Sequence, residues 1–442
     1  MASGRRTLNR RSHEPTRDGQ RPSLLALLRN ARAAFLLIHL DSLLVTPGIM
    51  DTLQANVVIA GGGIGGVVLA ALLTRAGRRV IVLERGLGPP PFLRPEVLWP
   101  AAAETLFSLR PREFWEEKCL RPFGGAVLDR AGISRPVITG ETFQRAGVQP
   151  FLTHPNQTRE TLLAICGADV RRGVEVTGVI REHDKVRGVR AREVATAQEF
   201  VVEAELTVGD DGPHSAIREA CGIAIELRRF PVDLFVRAFP WPSDWSNDVV
   251  RIWITPREDR SGLLAFGLMP LPGADAAAIG IVRGEDADAT AALAESCARM
   301  FACAAHAPGT PEAIGFPKSF TRIRREWGHA DRYGAPGAVL LGDAAHPVSP
   351  AGGQGANMAV ADAVVLAKLI LAREANLVPA YEAARRRANE RGIRPTRLAA
   401  KVFPLTRIPF IGALPGMILP RLFARPAIGA AVLRSLARSD GF

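Results

Sequence analysis

A glycine-rich turn set between two apolar strands constrains this chain more than any other feature. Asn56-Val57-Val58-Ile59-Ala60 is a continuous apolar run of the kind buried on both faces of a parallel sheet. Gly61-Gly62-Gly63-Ile64-Gly65-Gly66 follows and satisfies G-x-G-x-x-G at Gly61, Gly63 and Gly66. Val67 to Ala76 then reads as a helix ended by Gly77, and Arg79 to Glu84 as a second strand. In such a unit the first glycine permits the tight turn, and the second lets the backbone approach a pyrophosphate. The third lets the helix pack closely on the sheet. Glu84 lies 23 residues beyond Gly61, where a carboxylate accepts hydrogen bonds from an adenosine ribose. The spacing predicts a dinucleotide site. Glu84 argues against a ribose 2′-phosphate, an argument that Arg85 next to it weakens slightly.

A second anion socket is encoded far downstream. The apolar run Ala338-Val339-Leu340-Leu341 leads into Gly342-Asp343-Ala344-Ala345-His346-Pro347, then Ser349 to Asn357, and a helix-like segment begins at Met358. A strand thus delivers a carboxylate and a glycine-rich loop, with a helix N-terminus behind them. Between the two motifs, Glu205 to Gly209 reads as a strand followed by Asp210-Asp211-Gly212-Pro213-His214-Ser215-Ala216-Ile217-Arg218. Taken alone, that is an ordinary Asp-Gly turn.

The order and spacing of the three segments resemble the group A flavoprotein monooxygenases of the para-hydroxybenzoate hydroxylase type. The resemblance runs from about Asn56 to Arg387, and G-D-A-A-H followed by P-x-G-G-Q-G-x-N is its most specific part. It implies an α/β fold: a Rossmann-like FAD-binding domain of the three-layer GR2 type, an interleaved β-sheet substrate domain and a helical C-terminal region. The implied FAD contacts are Gly61, Gly63, Ile64, Gly65 and Gly66 at the pyrophosphate, and Glu84 with Arg85 at the ribose end. Arg159 would lie near the cofactor, Asp211 and Gly212 would form the D-G motif, and Asp343 would reach the ribityl and pyrophosphate region. Pro350, Gly353, Gly355, Ala356 and Asn357 would lie along the flavin pyrimidine edge, where backbone N–H groups stabilise negative charge on the reduced ring. His346 would belong to the flavin frame rather than act as a base.

No second nucleotide fingerprint follows Glu84. The resemblance implies that NADH or NADPH binds transiently in a surface groove and reduces the flavin. Reduced flavin and O₂ would then form a C4a-hydroperoxide that delivers one oxygen atom to an apolar or aromatic small molecule. No catalytic base is identifiable in the sequence. Two alternatives stay open: a polyprenyl reductase-like enzyme acting on C=C bonds, and a non-catalytic flavin-binding partner protein. The tryptophan signature of flavin halogenases is missing.

The 442 residues suffice for two linked cores. The expected division is an upstream extension at 1–49, a discontinuous FAD-binding domain over 50–400, and a C-terminal cap over 401–442. The substrate sheet is expected at roughly 120–155 and 225–325. Val174 to Val179 and Val186 to Val189 read as a hairpin of a second sheet, joined there by Val249 to Ile254, Gly262 to Phe266 and Ala278 to Val282. Trp253, Phe266 and Met269 are candidates for an apolar substrate wall.

The formal net charge is +12, but residues 1–49 and 400–442 each carry +5, so the body between is near neutral. Nothing in it points to nucleic acid. The cysteines Cys119, Cys166, Cys221, Cys297 and Cys303 have no C-x-x-C spacing and read as reduced thiols of a cytoplasmic protein, with no metal site. Met1 to Pro22 reads as disordered, and Met50 as the natural start, with an amphipathic targeting segment as the runner-up. The apolar stretches Leu24 to Val45, Ile408 to Pro420 and Ala427 to Leu433 are too interrupted or too short to span a bilayer. The C-terminal ones are expected to cap the substrate domain, with peripheral membrane contact as the second reading.

Overall fold

In the computed structural model the described residues are 51–90, 96–130, 133–242, 244–254, 262–273, 275–283, 290–302, 310–311, 313–350, 353–404 and 425–438. The expectations for residues 1–50, for Cys303 and for Ile408 to Pro420 fall outside them.

The first sheet has eight strands among the described residues. Its main path runs Gly334–Ala335, Ala338–Leu340, Glu199–Gly209, Thr52–Ala60, Val80–Glu84, Asp169–Arg172. Thr52–Ala60 is parallel to both neighbours, and its inner residues Val58, Ile59 and Ala60 are fully buried, as a doubly covered strand requires. The helix Ile64–Arg75 packs over this sheet and against the helices Pro155–Ile165 and Gly355–Leu371. Its run from Val67 to Ala71 is buried throughout, and full burial of each large aliphatic side chain contributes about 1.5–3 kcal/mol. It ends where Gly77 takes a left-handed φ of 76°.

The hairpin Val174–Glu182 and Lys185–Glu193 corrects one expectation. It belongs to the first sheet, because Lys185–Glu193 pairs antiparallel with the N-terminal half of Glu199–Gly209. The hairpin touches Val80–Glu84 and the short helix Ala216–Ala220, and so forms the third layer.

Among the described residues a second sheet has seven strands, in the order Thr321–Ile323, Val232–Pro240, Asp275–Arg283, Leu263–Pro270, Val249–Ile254, Gly125–Arg130, Ile133–Ile138. Its two faces carry different cores. Phe235, Phe239, Trp253 and Phe266 point to one face and pack with Leu293, Cys297 and Phe301 of the helix Thr290–Ala302. Val236, Met269, Ala277 and Ile323 point to the other and pack with Trp99, Phe143, Ala430 and Leu433. Trp253 and Phe266 are therefore core residues behind the sheet, whereas Met269 lies on the inner face. The four described cysteines are buried.

Candidate functional site

The ends of three parallel strands meet at one cavity of about 720 Å³, within the size range of small-molecule and cofactor sites. Thr52–Ala60 delivers the fingerprint loop, Val80–Glu84 delivers Glu84, and Glu199–Gly209 delivers Asp210, Asp211 and Gly212. Two helices start at its rim with no side-chain hydrogen bond from their N-cap residues, Ile64–Arg75 behind Gly63 and Gly355–Leu371 behind Gln354, and Asp210 takes the Gly66 N–H of the first. Their remaining N–H groups and their dipoles favour anions at two separate points.

Of the residues expected at the site, Gly61, Gly63, Ile64, Glu84, Arg85, Arg159, Asp211, Gly212, Asp343, Pro350, Gly353, Gly355 and Ala356 line this cavity. Gly65, Gly66 and Asn357 do not. Gly65 faces the helix Gly355–Leu371, where a Cβ would come within 2.9 Å of the Ala359 carbonyl oxygen. Asn357 is buried as a clamp: its Oδ1 accepts from Trp99 N at 2.8 Å, and its Nδ2 donates to the carbonyls of Val97 and Gly353 at 2.9 and 2.6 Å. It shapes the loop from behind.

Glu84 is held in place before any ligand arrives. Its Oε2 accepts from Gly62 N at 2.8 Å and pairs with Arg159 Nη2 at 2.7 Å, while Oε1 accepts from Gly86 N at 2.7 Å. Arg159 also donates from Nε to the Gly62 carbonyl at 2.6 Å. A carboxylate offers about four acceptor positions, so one remains on Oε1 for a hydroxyl. Asp211 Oδ2 accepts from Ala216 N and Ile217 N at 2.8 and 3.3 Å, capping the next turn, and its buried Oδ1 accepts nothing among the described residues. Burial pushes the Asp211 carboxyl above its usual range. Asp343 presents its carboxylate to the cavity from the 3₁₀ turn Gly342–Ala344.

That turn is anchored from both sides. Arg218 donates to the Ala344 carbonyl at 2.9 Å and to the Pro213 carbonyl at 2.7 Å, tying the D-G loop to the G-D loop. From behind, Asp362 accepts from Gly342 N at 3.1 Å, His346 Nε2 at 2.6 Å, Arg385 Nε at 2.7 Å and Asn389 Nδ2 at 3.1 Å. Burial alone would raise the Asp362 carboxyl; His346 and Arg385 override it and hold it below the usual carboxylate range. His346 is thus a buried support of the turn. His329, which contacts Tyr333 at 2.5 Å, is pushed down to about 4 by burial and then by His346 and Arg386, so it is neutral near pH 7.

The cavity fits a long dianionic dinucleotide with hydroxyl groups along its length. It has two helix N-termini, a ribose acceptor at Glu84, the carboxyl groups of Asp211 and Asp343, and a loop that admits no Cβ. These are the features FAD requires.

A family model described as FAD binding domain matches residues 54–395. The chain is 28% identical over 410 residues to a 6-methylpretetramide 4-monooxygenase of Streptomyces rimosus, covering 88% of this chain and 94% of that protein. It is 31% identical over 364 residues to an aurachin C monooxygenase/isomerase of Stigmatella aurantiaca, covering 76% of this chain and 86% of that protein. The crystal structure of a p-nitrophenol 4-monooxygenase from Pseudomonas putida matches with a TM-score of 0.72 at 18% identity, covering 89% of this chain and 99% of that one. That last likeness speaks for the fold alone.

Proposed function

Since the chain belongs to the FAD binding domain family and is an FAD-dependent monooxygenase using NAD(P)H, we propose that it oxygenates a flat, apolar aromatic molecule bearing an ionisable hydroxyl group. The observation that carries this reading is an apolar part of the cavity lining. There Leu234, Ile323, Val348 and Pro350 line the cavity together with Arg325. The Arg325 carbonyl accepts from Phe230 N at 2.9 Å, while its Nε is buried and has no hydrogen-bond partner among the described residues. A cation on an apolar wall suits a phenolate or enolate more than a neutral hydrocarbon. The relatives named above, a pretetramide and an aurachin oxygenase, support this class of substrate.

FAD, when bound, supplies the redox chemistry that activates O₂ and transfers one of its oxygen atoms. The protein supplies position and dryness. Gly61, Gly63, Ile64 and the helix behind them would hold the pyrophosphate, and Glu84 the ribose. Asp343 would hold the ribityl hydroxyls, and Pro350, Gly353, Gly355 and Ala356 would lie along the pyrimidine edge. The C-terminal helix Pro426–Ala437 closes the inner face of the second sheet: Ala430 and Leu433 are buried there, and Leu436 O accepts from Gln354 Nε2 at 3.1 Å. Its apolar face is occupied by protein, which favours a cap over membrane contact for this helix. No helix among the described residues is long and apolar enough to cross a membrane.

Two results are expected. Arg325→Met raises the KM for an acidic aromatic substrate about tenfold or more, with little change for a neutral analogue. Equal KM changes for the two would sink the ionisable-substrate reading. Glu84→Gln weakens FAD binding by about 1.5–3 kcal/mol, roughly 10- to 100-fold, measured by flavin fluorescence on the apoprotein. Unchanged FAD affinity would remove Glu84 from the ribose site. Ligand-stimulated NADH or NADPH oxidation, with a product heavier by one oxygen atom, tests the function as a whole.

A further inference from the structure

Asp210, just before the Asp-Gly pair, occupies the floor of the FAD cavity. Glu199–Gly209 runs parallel to Thr52–Ala60 with Gly209 opposite Ala60, so the next residue arrives beneath the fingerprint loop. Asp210 N donates to the Ala60 carbonyl at 2.8 Å, and its Oδ2 accepts from Gly66 N at 2.8 Å. A Cβ on Gly63 or Gly66 would stand 2.5 or 2.6 Å from that same Oδ2. The carboxyl group therefore fills the space under the loop, and its accessible part lines the cavity.

Among the described residues, the charged groups that act on Asp210 are carboxylates. Asp211 lies on its own loop, Asp343 on the 3₁₀ turn and Glu84 at the end of the second strand. Burial first, and then these carboxylates, push Asp210 well above the usual range. Arg159 is paired with Glu84, and Arg218 with two carbonyls. His214, at the rim, pairs with Glu326 at 3.0 Å, and Asp362, behind the 3₁₀ turn, is paired with Arg385. An ionised Asp210 would add a negative charge to this cluster of carboxylates with no ion-pair partner among the described residues. A protonated one satisfies both sides: Oδ2 still accepts from Gly66 N, and the O–H becomes a donor.

We propose that Asp210 serves as a neutral carboxylic acid that donates its Oδ1 proton to a phosphate oxygen of FAD, so that the cofactor is held together with a bound proton. The inference rests on FAD as the cofactor and is independent of the substrate reading.

The test uses the whole protein stripped of flavin and titrated with FAD. Asn at this position keeps an acceptor for Gly66 N and a donor for the phosphate. Asp210→Asn is therefore expected to bind FAD within about threefold of wild type near pH 7, with the same affinity from about pH 6 to 9. The infrared spectrum of the wild-type FAD complex near pH 7 is expected to show a protonated-carboxyl C=O band that the Asn variant lacks. Should the Asn variant not fold, Asp210→Ser takes its place in the spectral comparison. A spectrum without that band, or an Asn variant folded like wild type that binds FAD more than about tenfold more weakly, would overturn the proposal.

Discussion

Replacing Arg385 with methionine is expected to destabilise the protein by about 3–5 kcal/mol and to loosen the turn that presents Asp343. Arg385 and Asp362 are both fully buried and 2.7 Å apart. Removing the guanidinium leaves a carboxylate with Gly342 N, Asn389 and His346 as its remaining partners. Urea unfolding should show the loss as a lower midpoint for the variant than for the wild type. The double variant Asp362→Leu with Arg385→Met should recover much of the loss, because an apolar pair needs no compensation. A single variant with wild-type stability would show that the pair is not what anchors the turn.

That anchor also marks where reading the sequence stops. The fingerprint, the Asp-Gly turn and the Gly-Asp loop were legible because each is local: a strand, a turn with glycine at the crowded positions, and a helix start. Their convergence on one cavity follows from parallel pairing of the strands that carry them. Asp362 and Arg385 lie 23 residues apart on two helices. Nothing local distinguishes that Asp from a solvated one, since its burial is set by the packing of Gly355–Leu371 against Leu377–Val402. Asn357 was placed at the flavin edge from its motif, yet its amide is committed to Val97, Trp99 and Gly353, partners more than 250 residues away in two cases. The second sheet shows the same limit. Alternation along Val249–Ile254 reveals two faces but not which one meets the cavity, so the pattern left Trp253 open between wall and core, and it is core. The hairpin from Val174 to Glu193 was likewise assigned to the wrong sheet, because membership depends on pairing with Glu199–Gly209 and not on its own pattern.

The fingerprint glycines themselves separate two causes that sequence motifs merge. Gly61 has a φ of 93°, and a Cβ there would stand 2.3 Å from the carbonyl oxygen of Asp210. Backbone cannot withdraw as a side chain can. Gly61→Ala therefore combines left-handed strain of about 1–3 kcal/mol with overpacking of similar size, and is expected to cost about 3 kcal/mol or more and to abolish FAD retention. At Gly63 the obstacle is the Asp210 side chain, 2.5 Å away, and the expected cost is about 1–3 kcal/mol. Double-mutant cycles with Asp210→Ala, read by urea unfolding of the apoprotein, distinguish the two. The Gly63→Ala and Asp210→Ala pair should couple favourably by about 1–3 kcal/mol, whereas Gly61→Ala should be additive with it because the clashing oxygen remains. If stability returns in the Gly63 pair while FAD still binds poorly, Gly63 is required for the approach of the pyrophosphate as well as for Asp210. An additive Gly63 cycle would mean that the carboxyl group does not constrain that position, and that the loop is glycine-rich for the cofactor alone.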